Sequence, residues 1–98
     1  MKHVLIIRPE AEQELVEAFD WYEERVRGLG SEFLMAVDAT VHAIIRKPLQ
    51  FVKVHKNVRR ALLRRFPYAV CFLVEENRIV ILAVFHAKRD PKQWKERS

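Results

Sequence analysis

Six cationic side chains in the second half of this chain are equipped to grip an anion: Arg59, Arg60, Arg64, Arg65, His86 and Arg89. Each guanidinium offers a planar fork of donors that matches a phosphate or a carboxylate, and an imidazole changes charge near neutral pH. In an extended stretch over 58–66, Arg60 and Arg64 share one face with Leu62, while Arg59 and Arg65 share the other with Ala61 and Leu63. Such a pattern is either an arginine row aimed at phosphates or carboxylates, or a charged strand that resists pairing at a sheet edge. His86 closes an apolar strand, where it either serves a site or bonds a backbone carbonyl. Tyr68 and Cys71 also lie in apolar surroundings, and both read first as core; free cysteine is among the most buried residue types. His3, His42, His55 and His86 have no spacing that suggests zinc, and no metal or cofactor is expected.

Charge along the chain is two-sided. Residues 1–38 hold nine Asp or Glu against four Lys or Arg, whereas residues 39–74 hold eight Lys or Arg and no acid, within a net charge of +5. A basic face of this kind attracts a polyanion or an acidic protein partner. At 98 residues the chain is expected to form one domain, 1–98, around one core. No apolar run approaches the ~18 residues of a membrane span, and MKHVLIIRPE lacks the features of a signal peptide. A cytoplasmic location is the expectation.

The elements that must position the cations follow from pattern. Val4 to Ile7 is a short strand ending at Arg8-Pro9. Ala11, Leu15, Ala18, Tyr22 and Val26 recur at helical spacing, which predicts a helix over 10–27 with Glu10, Glu12 and Glu14 in its first turn. Trp21 lies at the edge of that stripe. Gly28 and Gly30 break the helix, and Ser31-Glu32 offers a cap for a second one that Pro48 stops near Lys47. The stretch 49–56 reads as a connection. Strands follow over 58–66, 69–75 and 78–86, the last two joined at Glu76-Asn77 as a tight hairpin. Both alternating sets of those two strands are apolar: Ile79, Ile81, Ala83 and Phe85 oppose Val80, Leu82 and Val84. Two apolar faces need cover on both sides, one by the helices and the other by a second chain or the curl of the sheet. Asp90-Pro91 marks a possible last helix, and Trp94 is able to fold back. The expected fold is α+β, in the order β-α-α-β-β-β, with the helical hairpin on a small, twisted, mainly antiparallel sheet.

That order, together with the pieces EAFDWYEER, GLGSEF, LLRRFPYAVCF and AVFHAKRDPKQW, resembles the RelE/ParE superfamily of toxins from type II toxin-antitoxin modules, over residues 4–97. The resemblance implies a small basic toxin of a bacterial or archaeal cytoplasm, active in growth inhibition or plasmid stabilisation. It implies as partner a cognate antitoxin, acidic and partly disordered, which wraps the toxin's groove; a homodimer or a hetero-oligomer with the antitoxin is the expected assembly. A RelE-like member would cut messenger RNA on the ribosome, and His86, Arg64 and Arg89 would then be catalytic. A ParE-like member would poison DNA gyrase without catalytic chemistry of its own. The ending His86-Ala87-Lys88-Arg89-Asp90 is similar to the ParE-like one, so that branch is preferred, with all six cations as the inhibitory surface. A third possibility is a basic module that simply holds nucleic acid.

Overall fold

The computed structural model describes residues 3–89 and 91–97; Asp90, part of the strand ending and helix start read above, lies outside them. The elements are β1 (Val4–Ile7), α1 (Pro9–Arg25), α2 (Leu29–Arg46), β2 (Lys53–His55), β3 (Val58–Leu62), β4 (Tyr68–Glu75), β5 (Arg78–His86) and a short α3 (Lys92–Lys95), with a 3-10 turn at Pro48–Gln50. They form one five-stranded sheet in the order β1-β5-β4-β3-β2, antiparallel except where β1 runs parallel to β5. The expected α+β architecture is present, with β2 added inside the stretch read as a connection.

Pro9 at the start of α1 needs no backbone partner, and Glu10 and Glu12 sit near the positive end of the helix dipole. Both helices lie on one face of the sheet. Ala11, Ala18, Phe33, Val37 and Ile44 pack there against Ala61, Val70, Phe72, Ile79 and Ile81. The link between the helices differs from expectation. The second helix begins at Leu29 rather than after Ser31, and Gly28 precedes it with a left-handed φ of 89°, a conformation glycine adopts without steric cost. A side chain from α1 does the capping: Glu23 accepts hydrogen bonds from the N–H groups of Gly28 (2.9 Å) and Gly30 (3.0 Å). A carboxylate at a helix start satisfies orphan donors and complements the dipole. Gly30 must also lack a side chain, because a Cβ there would lie 2.8 Å from the Phe19 carbonyl oxygen and ring.

Part of the opposite face of the sheet is covered by the chain's own end. Trp94 of α3, 4 % exposed, packs with Val58, Cys71, Val80, Leu82 and Ala83. Over this patch the cover comes from α3 rather than from the second chain or the curl of the sheet expected above, while Arg60 and Leu62 on the same face stay exposed. A second correction concerns the strand read over 58–66. It stops at Leu62, Arg65 takes a left-handed φ of 71°, and the chain turns through a loop pinned by buried Leu63 and Phe66.

A bulge in β5 determines which residues face which layer. Cys71 pairs with Ala83 but Phe72 pairs with Ile81, so Leu82 is the extra residue. Ile79 and Ile81 face the helices, Leu82 and Ala83 both face α3, and beyond them Val84 faces the helices again. The simple alternation read from the sequence, which put Ala83 and Phe85 with Ile81, thus inverts after Leu82.

Replacing Gly30 by Ala should cost about 1–3 kcal/mol through overpacking against Phe19, lowering Tm by several degrees in thermal denaturation; an unchanged Tm would show that the two helices have room to separate.

Candidate functional site

The bulge brings His86 to the helix side of the sheet, in register with Tyr68, their rings 5.3 Å apart and steeply inclined. Three backbone bonds tie the surrounding turns together: Leu63 N–H to Tyr68 O, Tyr68 N–H to Phe66 O, and Ala87 N–H to Pro67 O. Beneath lies an aromatic cluster in which Tyr22 meets Phe33, Phe66 and Tyr68 at centroid distances of 5.4, 5.0 and 6.1 Å. Above it opens a cleft of about 450 Å³ between α1 (Glu17, Ala18, Trp21, Tyr22) and the end of β5, closed by Arg89, Gln93 and Trp94. That is the size of a small-ligand or side-chain pocket.

The cleft exists because β1 ends early. Its last pair is Ile7 with Ile81, after which the chain leaves for α1 through a bond from Arg8 N–H to Ile81 O. From Leu82 onward β5 keeps β4 on one side but has no strand on the side that β1 has left. Side chains supply the missing groups: Glu14 Oε1 accepts the Val84 N–H at 3.0 Å, and Arg97 Nη1 donates to Leu82 O at 3.0 Å. Arg97 also grips Glu14 bidentately, at 3.0 and 3.2 Å. Both side chains are mostly buried, where hydrogen bonds between ions outweigh those exposed to water. Glu14, Arg97 and Trp21 were not among the candidate site residues read from the sequence, where Glu14 figured only as a first-turn acid and Trp21 as helix-edge packing. Glu14 alone carried a signal, being a carboxylate lodged on the apolar stripe between Ala11 and Ala18.

The six predicted cations do not form one set. Arg59 is structural: its Nη1 donates to Phe51 O at 2.6 Å and Leu49 O at 3.3 Å, holding the connection before β2. Arg65 pairs with Glu32 of α2 at 2.8 Å and lies over the Phe66 ring. Arg60, Arg64 and Arg89 are exposed and, among the described residues, make no side-chain hydrogen bond or ion pair. Arg64 and Arg89 stand at the cleft end of the sheet, whereas Arg60 projects from the opposite face, level with Cys71. His86 Nδ1 accepts the Lys88 N–H at 3.1 Å, so it bonds a backbone amide rather than the carbonyl considered above. A neutral ring so held carries its proton on Nε2 and presents a donor.

Burial pushes the Tyr68 hydroxyl above its usual pKa, with Arg89 partly opposing, and burial does the same to Tyr22. The Cys71 thiol is pushed up to about 12 by burial, partly offset by Arg60. Tyr68 and His86 therefore present donors and aromatic faces to the cleft, whose α1 wall adds the carboxylates of Glu14 and Glu17. Among the described residues, no group of three or more His, Cys, Asp or Glu is arranged to hold a metal, and no helix is long and apolar enough to cross a membrane.

A helical hairpin on a mainly antiparallel sheet, with a cleft at the sheet's open end, is the architecture expected of a RelE/ParE-like protein. The family model for the ParE toxin of type II toxin-antitoxin system, parDE, matches residues 5–91; the chain belongs to the ParE toxin family. It is similar to Toxin ParE2 of Mycobacterium tuberculosis, in strains CDC 1551 / Oshkosh and ATCC 25618 / H37Rv, with 32 % identity over 81 residues, 82 % of this chain and 77 % of the relative. Among solved structures it resembles a chain of the chromosomal ParDE TA system from P. aeruginosa, with a TM-score of 0.77 and 19 % identity over 87 % of this chain and 96 % of that one. At that identity the likeness speaks for the fold.

The Cys71 shift gives a pH dependence. Its folded pKa lies above the ordinary value of 9.0, so the stabilisation is whole below pH 9 and is lost as pH rises toward 12, at up to about 1.4 kcal/mol per pH unit. Urea titrations between pH 8.5 and 10 should show a falling midpoint that Cys71→Ala flattens; equal slopes for the two proteins would refute the assignment.

Proposed function

We propose that this chain is the toxin of a ParDE-type module, neutralised by a cognate antitoxin and acting in the cytoplasm by poisoning DNA gyrase. Membership of the ParE family supports the module. The observation that carries the mode of action is the state of His86, whose Nδ1 is occupied by the Lys88 amide. Cutting RNA requires a base for the 2′-hydroxyl and an acid for the leaving oxygen. With the Tyr68 hydroxyl held above its normal pKa, neither of these groups is prepared to take that proton. Inhibition by binding asks only for donors and shape. His86 and Arg89 at the cleft and the exposed Arg64 on the loop between β3 and β4 form the target-facing group, with Trp21 of α1 as an exposed aromatic anchor of the kind that dominates interfaces. Arg59 and Arg65 are engaged within the fold, by Phe51 O and by Glu32.

A gyrase reaction on supercoiled plasmid, read for accumulated cleaved DNA, tests this. Native protein should trap cleaved complexes, and Arg89→Ala and His86→Ala should each require roughly tenfold more protein, as loss of an interface anchor does. No cleaved DNA at excess protein, together with message cleavage in a translation reaction that His86→Ala abolishes, would replace this reading with the ribosome-dependent nuclease.

A further inference from the structure

The arginines of β3 have an obvious structural explanation that the sheet order removes. Charged side chains protect a sheet edge from unwanted pairing, but β3 lies between β4 and β2 and is not an edge. The edge belongs to the three-residue β2. Arg60 and Leu62 nevertheless stand exposed on the face away from the helices. Val58, two residues before Arg60, packs under Trp94 on that face, and Arg60 acts on the thiol of Cys71, its partner across the sheet. Leu62 is 59 % exposed. Its cross-strand row continues through Ala69 to Phe85, and Phe85 leans on Trp94 at 5.5 Å. The result is a short apolar shelf beside a guanidinium with no side-chain hydrogen bond or ion pair among the described residues. Lys53 and Lys56 are exposed on the neighbouring β2 strand and turn, and the whole stretch 39–74 contains no acid.

We infer that this outer face of β3 is a docking surface for an acidic protein segment carrying an apolar residue between carboxylates. Charge complementarity selects the sign: an acid-free stretch of eight Lys or Arg has nothing of its own to neutralise Arg60. Leu62 selects protein over nucleic acid, because a phosphate backbone gains nothing from an exposed aliphatic side chain, whereas a peptide's leucine or phenylalanine buries it. The surface is separate from the target-facing group, since Arg64, His86 and Arg89 stand at the cleft end while Arg60 and Leu62 look out from the opposite sheet face. The inference rests on the toxin reading only in that an antitoxin is the class of partner that would present such a segment.

The test uses purified full-length protein and a fluorescein-labelled peptide, Glu-Asp-Leu-Glu-Phe-Asp-Glu, followed by anisotropy at about 150 mM salt, where long-range attraction is screened. Arg60→Glu and Leu62→Ser should each weaken binding roughly tenfold, with thermal midpoints unchanged because both side chains are exposed. Arg46→Glu, which makes the same change in net charge at the end of α2, should weaken it less than twofold. Binding absent at 1 mM peptide on the order of the weakest specific affinities, equal losses in Arg46→Glu and Arg60→Glu, or an unchanged affinity in Leu62→Ser would each overturn the inference. So would displacement of the peptide by a single-stranded oligonucleotide at lower concentration than by unlabelled peptide, which would make this a phosphate surface. Gyrase takes no part in the measurement, so a failed gyrase reaction and a failed peptide titration are separate results.

Discussion

One carboxylate stands where a neighbouring strand's backbone would be. Glu14 reaches from the buried stripe of α1 to the amide of Val84, and Arg97 reaches from the chain's end to the carbonyl of Leu82 and to Glu14 itself. These bonds satisfy polar groups of β5 that β1 leaves unpaired, in a region where an unpaired group would cost about 1–3 kcal/mol. They also straddle the bulge at Leu82. Without that bulge His86 would face α3; with it, His86 meets Tyr68 on the helix side and the cleft has its rim. Helix, sheet and C-terminal segment are thus joined at a single ion pair, and the geometry of the candidate site follows from it.

The division of charge has a structural counterpart. Of the acids on α1, Glu23 caps α2 and Glu14 closes the sheet edge. Two of the arginines are likewise consumed by the fold: Arg59 ties down the backbone before β2 and Arg65 bridges to α2. What remains is small and divided between two faces, Arg64 and Arg89 at the cleft and Arg60 behind it. A row of arginines in a sequence therefore overstates the size of any single anion site. Counting only those without a side-chain partner among the described residues gives a surface suited to docking rather than to a multi-point phosphate clamp.

Much of this was legible from residue pattern. The apolar stripe of α1, the hairpin turn at Glu76-Asn77 and the pairing of β4 with β5 all follow from local periodicity, and the last is clasped by an ion pair between Glu75 and Arg78. The C-terminal cover was half visible in Trp94. What failed was non-local. Ser31 looked like a cap, but Glu23, eight residues upstream, does that work. The bulge was invisible because β5 is apolar on both faces, so a slipped alternation leaves no polar residue out of place. The strand β2 was hidden for the opposite reason: three residues carry too little periodicity to register, and their pairing with β3 is itself irregular. The edge reading of Arg60 depended on strand order, which no local pattern encodes.

The central claim is that Glu14 and Arg97 substitute for a strand at the end of β5, and amide hydrogen exchange of Val84 tests it most directly. In the native protein this amide should be protected to nearly the level of its paired neighbours in β5. In Glu14→Ala and in Arg97→Ala its exchange should accelerate well beyond that of Ile79 or Ile81, whose amides belong to the sheet. Unchanged protection of Val84 in both variants would mean that the strand end is held by other means, and that the bulge and the cleft do not depend on this ion pair.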